Sequence, residues 1–180
     1  MSVKVTPGSP ILNRDALTNT QVGIDYAHYA MHMGEHYFFK NWQDIEGADT
    51  VVYVLLRTPE SPTRIHAKAA IDSEAEFLIE LFEDSTVSAD GTPITIFNND
   101  RESTNTSEAS VFAAPTVTDD GSLLWAGKTG TGRNPIGTSP GLNYEVLPKA
   151  STDYLLKITK ATSGIHWVDF DFWWYEHIHS

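Results

Sequence analysis

From Thr50 onward, short apolar or alternating runs recur every 10 to 20 residues, separated by clusters of Gly, Pro, Asp and Asn. This is how an all-β sandwich is written into a chain. The segment Thr50 to Arg57 is apolar at both odd and even positions, so it should be a central strand buried on both faces. Ile65, Ala67, Ala69 and Ile71 alternate with His66, Lys68 and Ala70, which predicts a strand with one face in the core. Glu76 to Phe82 fits either a strand or a helix face, and its strand neighbours favour a strand. Helical candidates are scarce.

Two Asp-Gly pairs, Asp90-Gly91 and Asp120-Gly121, lie between apolar runs and predict turns, because Asp-Gly supplies the positive φ that tight hairpin turns require. Their surroundings echo each other: Thr86-Val87-Ser88-Ala89-Asp90-Gly91-Thr92 returns 30 residues later as Thr116-Val117-Thr118-Asp119-Asp120-Gly121-Ser122. Two copies are too few for a solenoid, so the echo predicts similar turn chemistry on two related strand ends. Between them, residues 98–107 carry short polar side chains that favour a loop. Gly127 to Gly141, with five glycines and two prolines, predicts a second long loop.

The last segment, Ile165 to Ile178, is the richest. If extended, it places Val168, Phe170, Phe172 and Trp174 on a core face, and Trp167, Asp169, Asp171, Trp173 and Tyr175 on the other. The second face is too apolar for plain solvent and too charged for an interior. At about 3.3 Å per residue the run would span about 46 Å, so a bulge or bend is expected within it. Residues 1–35, broken by Pro7-Gly8-Ser9-Pro10 and Thr18-Asn19-Thr20-Gln21, read as an extended N-terminal arm, with the sandwich domain over 36–180.

Composition narrows the partners. Twelve Lys plus Arg against 24 Asp plus Glu give a net charge of -12, which disfavours nucleic acid because a phosphate backbone is bound through Lys and Arg. The longest apolar run, Val51 to Leu56, is far short of the ~20 residues that cross a bilayer, and no basic-then-apolar leader opens the chain, so neither membrane nor export is expected. Without an export route, the Asn105-Thr106-Ser107 glycosylation match carries no weight. The absence of cysteine excludes disulfides, thiolate zinc sites and a cysteine nucleophile.

Candidate chemistry is sparse. His32-Met33-Gly34-Glu35-His36 fits H-x-x-E-H, whose two histidines would bind Zn²⁺ from one helix face; Gly34 within it and Tyr37-Phe38-Phe39 after it favour extended chain instead. His28 extends the spacing and would at most add an adventitious nickel or zinc site. Gly127-Lys128-Thr129 lacks the spaced glycine and the following helix of a phosphate loop. Asp169 and Asp171 could stand ~7 Å apart like a glycosidase pair, but no further donor constellation accompanies them. No Gly-x-Ser-x-Gly elbow is present. No cofactor, metal or catalytic residue is predicted.

The strings DYAHYAMHMGEHYFF at 25–39, NNDRESTNTS at 98–107 and WWYEH at 173–177 occur in an order that resembles the capsid decoration, or cement, proteins of tailed bacteriophages. The resemblance spans about Asp25 to His177. It implies a jelly-roll-like β-sandwich without enzymatic activity. Such a protein binds the major capsid protein on the outer surface of the virion head and stabilises the shell. An acidic chain suits the outside of a DNA-filled head. An arm can order along a partner, and Trp and Tyr facing outward suit an interface centre. The expected contact residues are Trp167, Trp173, Tyr175, Asp100 and Arg101. Capsid symmetry implies a trimer or a dimer. The competing expectations are a carbohydrate-binding or host-adhesion module of a phage tail or fibre, supported by five Trp and seven Tyr, and a metal hydrolase using His32, Glu35 and His36.

Overall fold

The computed structural model of the protein describes residues 13–14, 21–22, 25–129 and 145–178. It is an all-β sandwich of antiparallel sheets. In chain order, β1 (Asn13–Arg14) pairs with β2 (Gln21–Val22), and a short helix α1 (Tyr26–His32) leads into β3 (His36–Glu46), β4 (Val51–Arg57), β5 (Thr63–Ser73) and β6 (Phe77–Glu83). The short strands β7 (Thr86–Ala89), β8 (Thr92–Pro93), β9 (Phe97–Asn98), β10 (Ser110–Ala113) and β11 (Thr116–Asp119) follow, then β12 (Ser122–Thr129), β13 (Asp153–Lys160) and β14 (Ile165–Ile178). No described helix is long and apolar enough to cross a membrane.

One sheet has the order β5-β14-β3-β9 and the other β12-β6-β13-β4-β10-β8. The chain changes sheet at each step from β3 to β6 and again from β13 to β14, and β3-β14-β5 lies over β4-β13-β6-β12 in the strand order of a jelly roll, with Val146 bridging Ala67 on β5. The excursion β7–β11 is inserted between β6 and β12. The main core lies between the sheets, from Tyr37, Phe39, Ile65, Ile71, Phe170 and Trp174 on one side to Val54, Leu56, Phe77, Ile79 and Ile158 on the other.

The echoed sequence produces an internal two-fold. Strands β7 and β11 pair with each other as a two-stranded ribbon, while β6 pairs with β12 and β10 with β8. Leu55 on β4 faces Leu155 on β13 at the centre of the six-stranded sheet. Around that point, Arg57 ion-pairs Asp90 at 3.0 Å and lies 5.6 Å from the Phe112 ring, while Lys157 ion-pairs Asp120 at 2.6 Å and lies 5.8 Å from the Phe82 ring. The ribbon's Val87 and Val117 cover a second core of Leu55, Phe82 and Leu155. This is why β4 is apolar on both faces.

Four expectations need correction. The Asp-Gly pairs do take positive φ at Gly91 (+90°) and Gly121 (+86°), but neither closes a hairpin, since each carries the chain from the ribbon into the main sheet. Strand β14 has no bulge: its register is unbroken from Ile165 to Tyr175 along β3 and from Val168 to Ile178 along β5. Two long, offset neighbours pair it along its length, so no break is needed. Gly127 to Thr129 is strand, the end of β12, not the start of a loop; the rest of that predicted loop, residues 130–144, lies outside the described residues. Residues 26–32 of the predicted arm are helical, because the Asp25 carboxylate caps α1 by accepting from the His28 N–H at 2.8 Å. The remainder of the arm lies mostly outside the described residues.

Candidate functional site

Gly34, with φ +68°, ends α1 and turns the chain into β3. That φ, which glycine adopts freely, splits the H-x-x-E-H string between two elements. His32 sits in the last turn of α1 with its Nε2 3.0 Å from that of His28, whereas His36 is buried at the start of β3 with Nδ1 accepting from the Asn99 amide. Burial, and secondarily the charge of Lys68, lower the His36 pKa. Among the described residues no group of three or more His, Cys, Asp or Glu is arranged to hold a metal.

The polar run 98–107 is a loop built on its own side chains. Asp100 N–H donates to Asn98 Oδ1, Glu102 N–H to Asp100 Oδ1 and Asn105 N–H to Ser103 Oγ. The loop settles on the α1–β3 corner, where the Gly34 carbonyl accepts from Asn98 Nδ2 (2.8 Å), Asn105 Nδ2 (3.2 Å) and Tyr37 Oη (3.2 Å). A Cβ at Gly34 would stand 2.2 Å from Ser103 Oγ, so this approach requires glycine.

The far end of the loop is held by Glu176, a residue that sequence reasoning missed. It occupies a core-facing position of β14 and is 7% exposed. Its carboxylate accepts from Ser107 Oγ (2.6 Å), Trp174 Nε1 (3.0 Å), Glu108 N–H (3.1 Å) and Ala109 N–H (3.3 Å). The same period that puts Val168, Phe170 and Trp174 in the core puts Glu176 there, and a carboxylate at such a position signals a demand for donors. Beside it opens a polar hollow of about 470 Å³ lined by Glu35, Tyr37, Thr104, Asn105, Glu108 and Glu176 among others. Burial, then the charges of Glu176, Glu35 and Glu108, push the Tyr37 pKa up to about 12.

The outer face of the four-stranded sheet continues from this corner. Register places Trp167 opposite Asp44, Asp169 opposite Trp42, Asp171 opposite Lys40 and Trp173 between Phe38 and Lys68. The predicted face of β14 is therefore the outer one. Lys40 bridges Asp169 at 2.7 Å and Asp171 at 3.1 Å, and hydrogen bonding to Asp169 chiefly raises its pKa. Shared between two aspartates, this lysine makes the pair an ion triad. Trp42, 57% exposed, and Phe97, 41% exposed, stand out from the face.

Of the predicted contact residues, Trp167 and Trp173 lie half-buried on this outer face. Arg101 stands at its margin, with its guanidinium 5.3 Å from the Phe97 ring centre, and Asp100 serves the loop turn. Tyr175 shares their face but is covered: Tyr26 of α1 packs 5.2 Å away, His66 stacks on it at 4.6 Å, and its hydroxyl donates to Glu145 at 2.8 Å. Burial and the Glu145 bond raise its pKa. It anchors the helix and is not an outward contact. His66 Nε2 meets His177 Nε2 at 3.0 Å beside it.

No protein-family model, curated protein or solved structure matches this chain.

Proposed function

We propose that this protein is a structural component of a tailed-bacteriophage virion, a decoration protein that binds the major capsid protein on the outside of the head and stabilises the shell without catalysis. One observation carries the reading. The three strings on which the resemblance rests are far apart in the chain yet form one contiguous corner. Residues 25–39 supply α1 and the start of β3, residues 98–107 lie on Gly34, and residues 173–177 bind both through Tyr175 and Glu176. A set of residues kept together at a surface corner and continuous with an aromatic, charged sheet face suits an adhesive surface. The net charge of -12 favours the outside of the shell over its DNA-filled interior.

Binding of purified protein to undecorated heads tests this reading by cosedimentation, with host polysaccharide as the second arm. Sedimentation with heads, weakened by Trp173→Ala or Arg101→Ala, is the expected result. Binding to polysaccharide alone would favour the adhesion module, for which the polar hollow beside Glu176 and the exposed Trp42 are the supporting features.

A further inference from the structure

One edge of the four-stranded sheet is mostly unpaired among the described residues. Strand β3 runs for 11 residues, but among the described residues its side away from β14 is paired only from His36 to Phe38, by the two-residue β9 and the Asn99 that follows it. The Asn99 N–H donates to the His36 carbonyl at 2.9 Å, which fixes the parity: even-numbered residues of β3 direct their backbone groups to this edge, and odd-numbered ones to β14. Glu46 C=O is taken by Thr50 Oγ1 at 2.6 Å. Lys40, Trp42 and Asp44 therefore present a row of N–H and C=O groups with no described strand beside them. Long open edges are normally blunted by proline, a bulge or a covering loop. This stretch holds no proline, and its register with β14 is continuous.

We propose that the edge pairs antiparallel with the same edge of a second copy of this chain, joining two four-stranded sheets across a two-fold axis at Trp42. Parity allows only registers that set even-numbered residues opposite even-numbered ones. Centring on Lys40 or on Asp44 would oppose like charges, and centring on Asn41 or on Gln43 would set Lys40 or Asp44 opposite the partner's Trp42, whereas centring on Trp42 sets Lys40 opposite the partner's Asp44, and Trp42 against the partner's Trp42. Cross-strand pairs of both kinds stabilise sheets. Lys40, whose side chain is 55% exposed, can serve the added carboxylate along with Asp169.

The same register accounts for a break in the apolar period. On the inner face, between buried Phe39 and Ile45, the half-buried residues are Asn41 and Gln43. In the pair, Asn41 faces the partner's Gln43, amide to amide. A pairing over 40–44 is smaller than a standard interface of about 800 Å² per partner, so the association is weak and depends on concentration.

Sedimentation equilibrium of the full chain tests this independently of any head binding. The mass should rise from 20.0 kDa towards twice that value as concentration increases. Trp42→Pro removes an edge-facing N–H without breaking a bond to β14, and Asp44→Lys puts like charges across the axis. Both variants should remain at the monomer mass, while Leu124→Lys on the opposite sheet's edge strand β12 should associate like the parent. If Trp42→Pro loses its β circular dichroism, Asp44→Lys decides alone. A parent chain that stays monomeric up to its solubility limit, or an Asp44→Lys variant that associates as the parent does, overturns the proposal.

Discussion

Removing the carboxylate of Glu176 should both destabilise the fold and release the 98–107 loop. In Glu176→Ala, three donors lose their acceptor: Ser107 Oγ, the Glu108 N–H and Trp174 Nε1 on a fully buried indole, while the Ala109 N–H keeps Ser107 Oγ at 3.0 Å. Hydrogen bonds to a charged group contribute about 1.5–3 kcal/mol each, but they do not add, and the Ser107 hydroxyl can turn to water. Taking the two donors that cannot turn away, the Glu108 N–H and Trp174 Nε1, gives a loss of about 3–5 kcal/mol, in line with breaking a buried charge network. At roughly 2–4 °C per kcal/mol for a chain of this size, the melting temperature should fall by about 6–20 °C. Glu176→Gln keeps one acceptor but turns an amide N–H₂ toward the Glu108 N–H, so its cost should be smaller, about 1–3 kcal/mol. Thermal and urea unfolding measure the loss, and amide exchange at Glu108 and Ala109 reports the loop. An Ala variant within about 1 kcal/mol of the parent, with unchanged exchange at those two amides, would refute the assignment of Glu176 as the loop's anchor.

Three other outcomes follow from the geometry. Gly121→Ala forces a side chain onto φ +86° with its Cβ 2.4 Å from the Glu83 carbonyl, so it should cost about 1–3 kcal/mol or more in thermal unfolding, and Gly91→Ala should behave alike. Because the His36 pKa is lowered in the folded chain, the unfolded chain binds the extra proton first as pH drops. Stability should therefore be full above about pH 6.5 and decline below it, and Asn99→Asp, which can accept from the imidazolium, should flatten that decline in pH-dependent melting curves. Arg57 grips both Asp90 and Asp153, whereas its two-fold counterpart Lys157 ion-pairs, among the described residues, Asp120 alone, so Arg57→Met should speed amide exchange at Val87 more than Lys157→Met does at Val117.

Period-2 alternation reveals the strands because a sheet face either meets the core or does not. It gives both faces of β14 correctly, together with the one-sided burial of β5 and the doubly apolar β4. What it misses depends on partners distant in sequence. Glu176 reads as a surface acid until the loop that supplies its donors is seen folded over it. Tyr175 reads as an outward anchor because periodicity knows the face but not that α1 lies on it. The helix itself is too short to show a period, and its only local sign is Asp25 ahead of His28, a cap that becomes decisive once Tyr26 has Tyr175 to pack against. The Asp-Gly pairs show the opposite limit: the sequence contains the turn chemistry, but which strands the turns join depends on the ribbon pairing with its own repeat.

That repeat also makes the two outer faces of the sandwich unequal. A sheet face bearing Leu55, Phe82 and Leu155 would be a large apolar patch if bare, and the β7–β11 ribbon closes it with Val87 and Val117 and locks each end by an aspartate on a cation. The four-stranded sheet has no described ribbon across it. Its outer face is partly neutralised by the Lys40 triad, yet Trp42 stays exposed and Trp167 and Trp173 half-buried, and beyond Phe38 no described strand pairs the β3 edge. If adhesion is this protein's work, substitutions on the two faces should separate cleanly. Val87→Ser or Val117→Ser should lower the melting temperature without touching binding to heads, and Trp173→Ala should do the reverse. Equal loss of binding from both faces would remove the distinction on which the proposed docking surface rests.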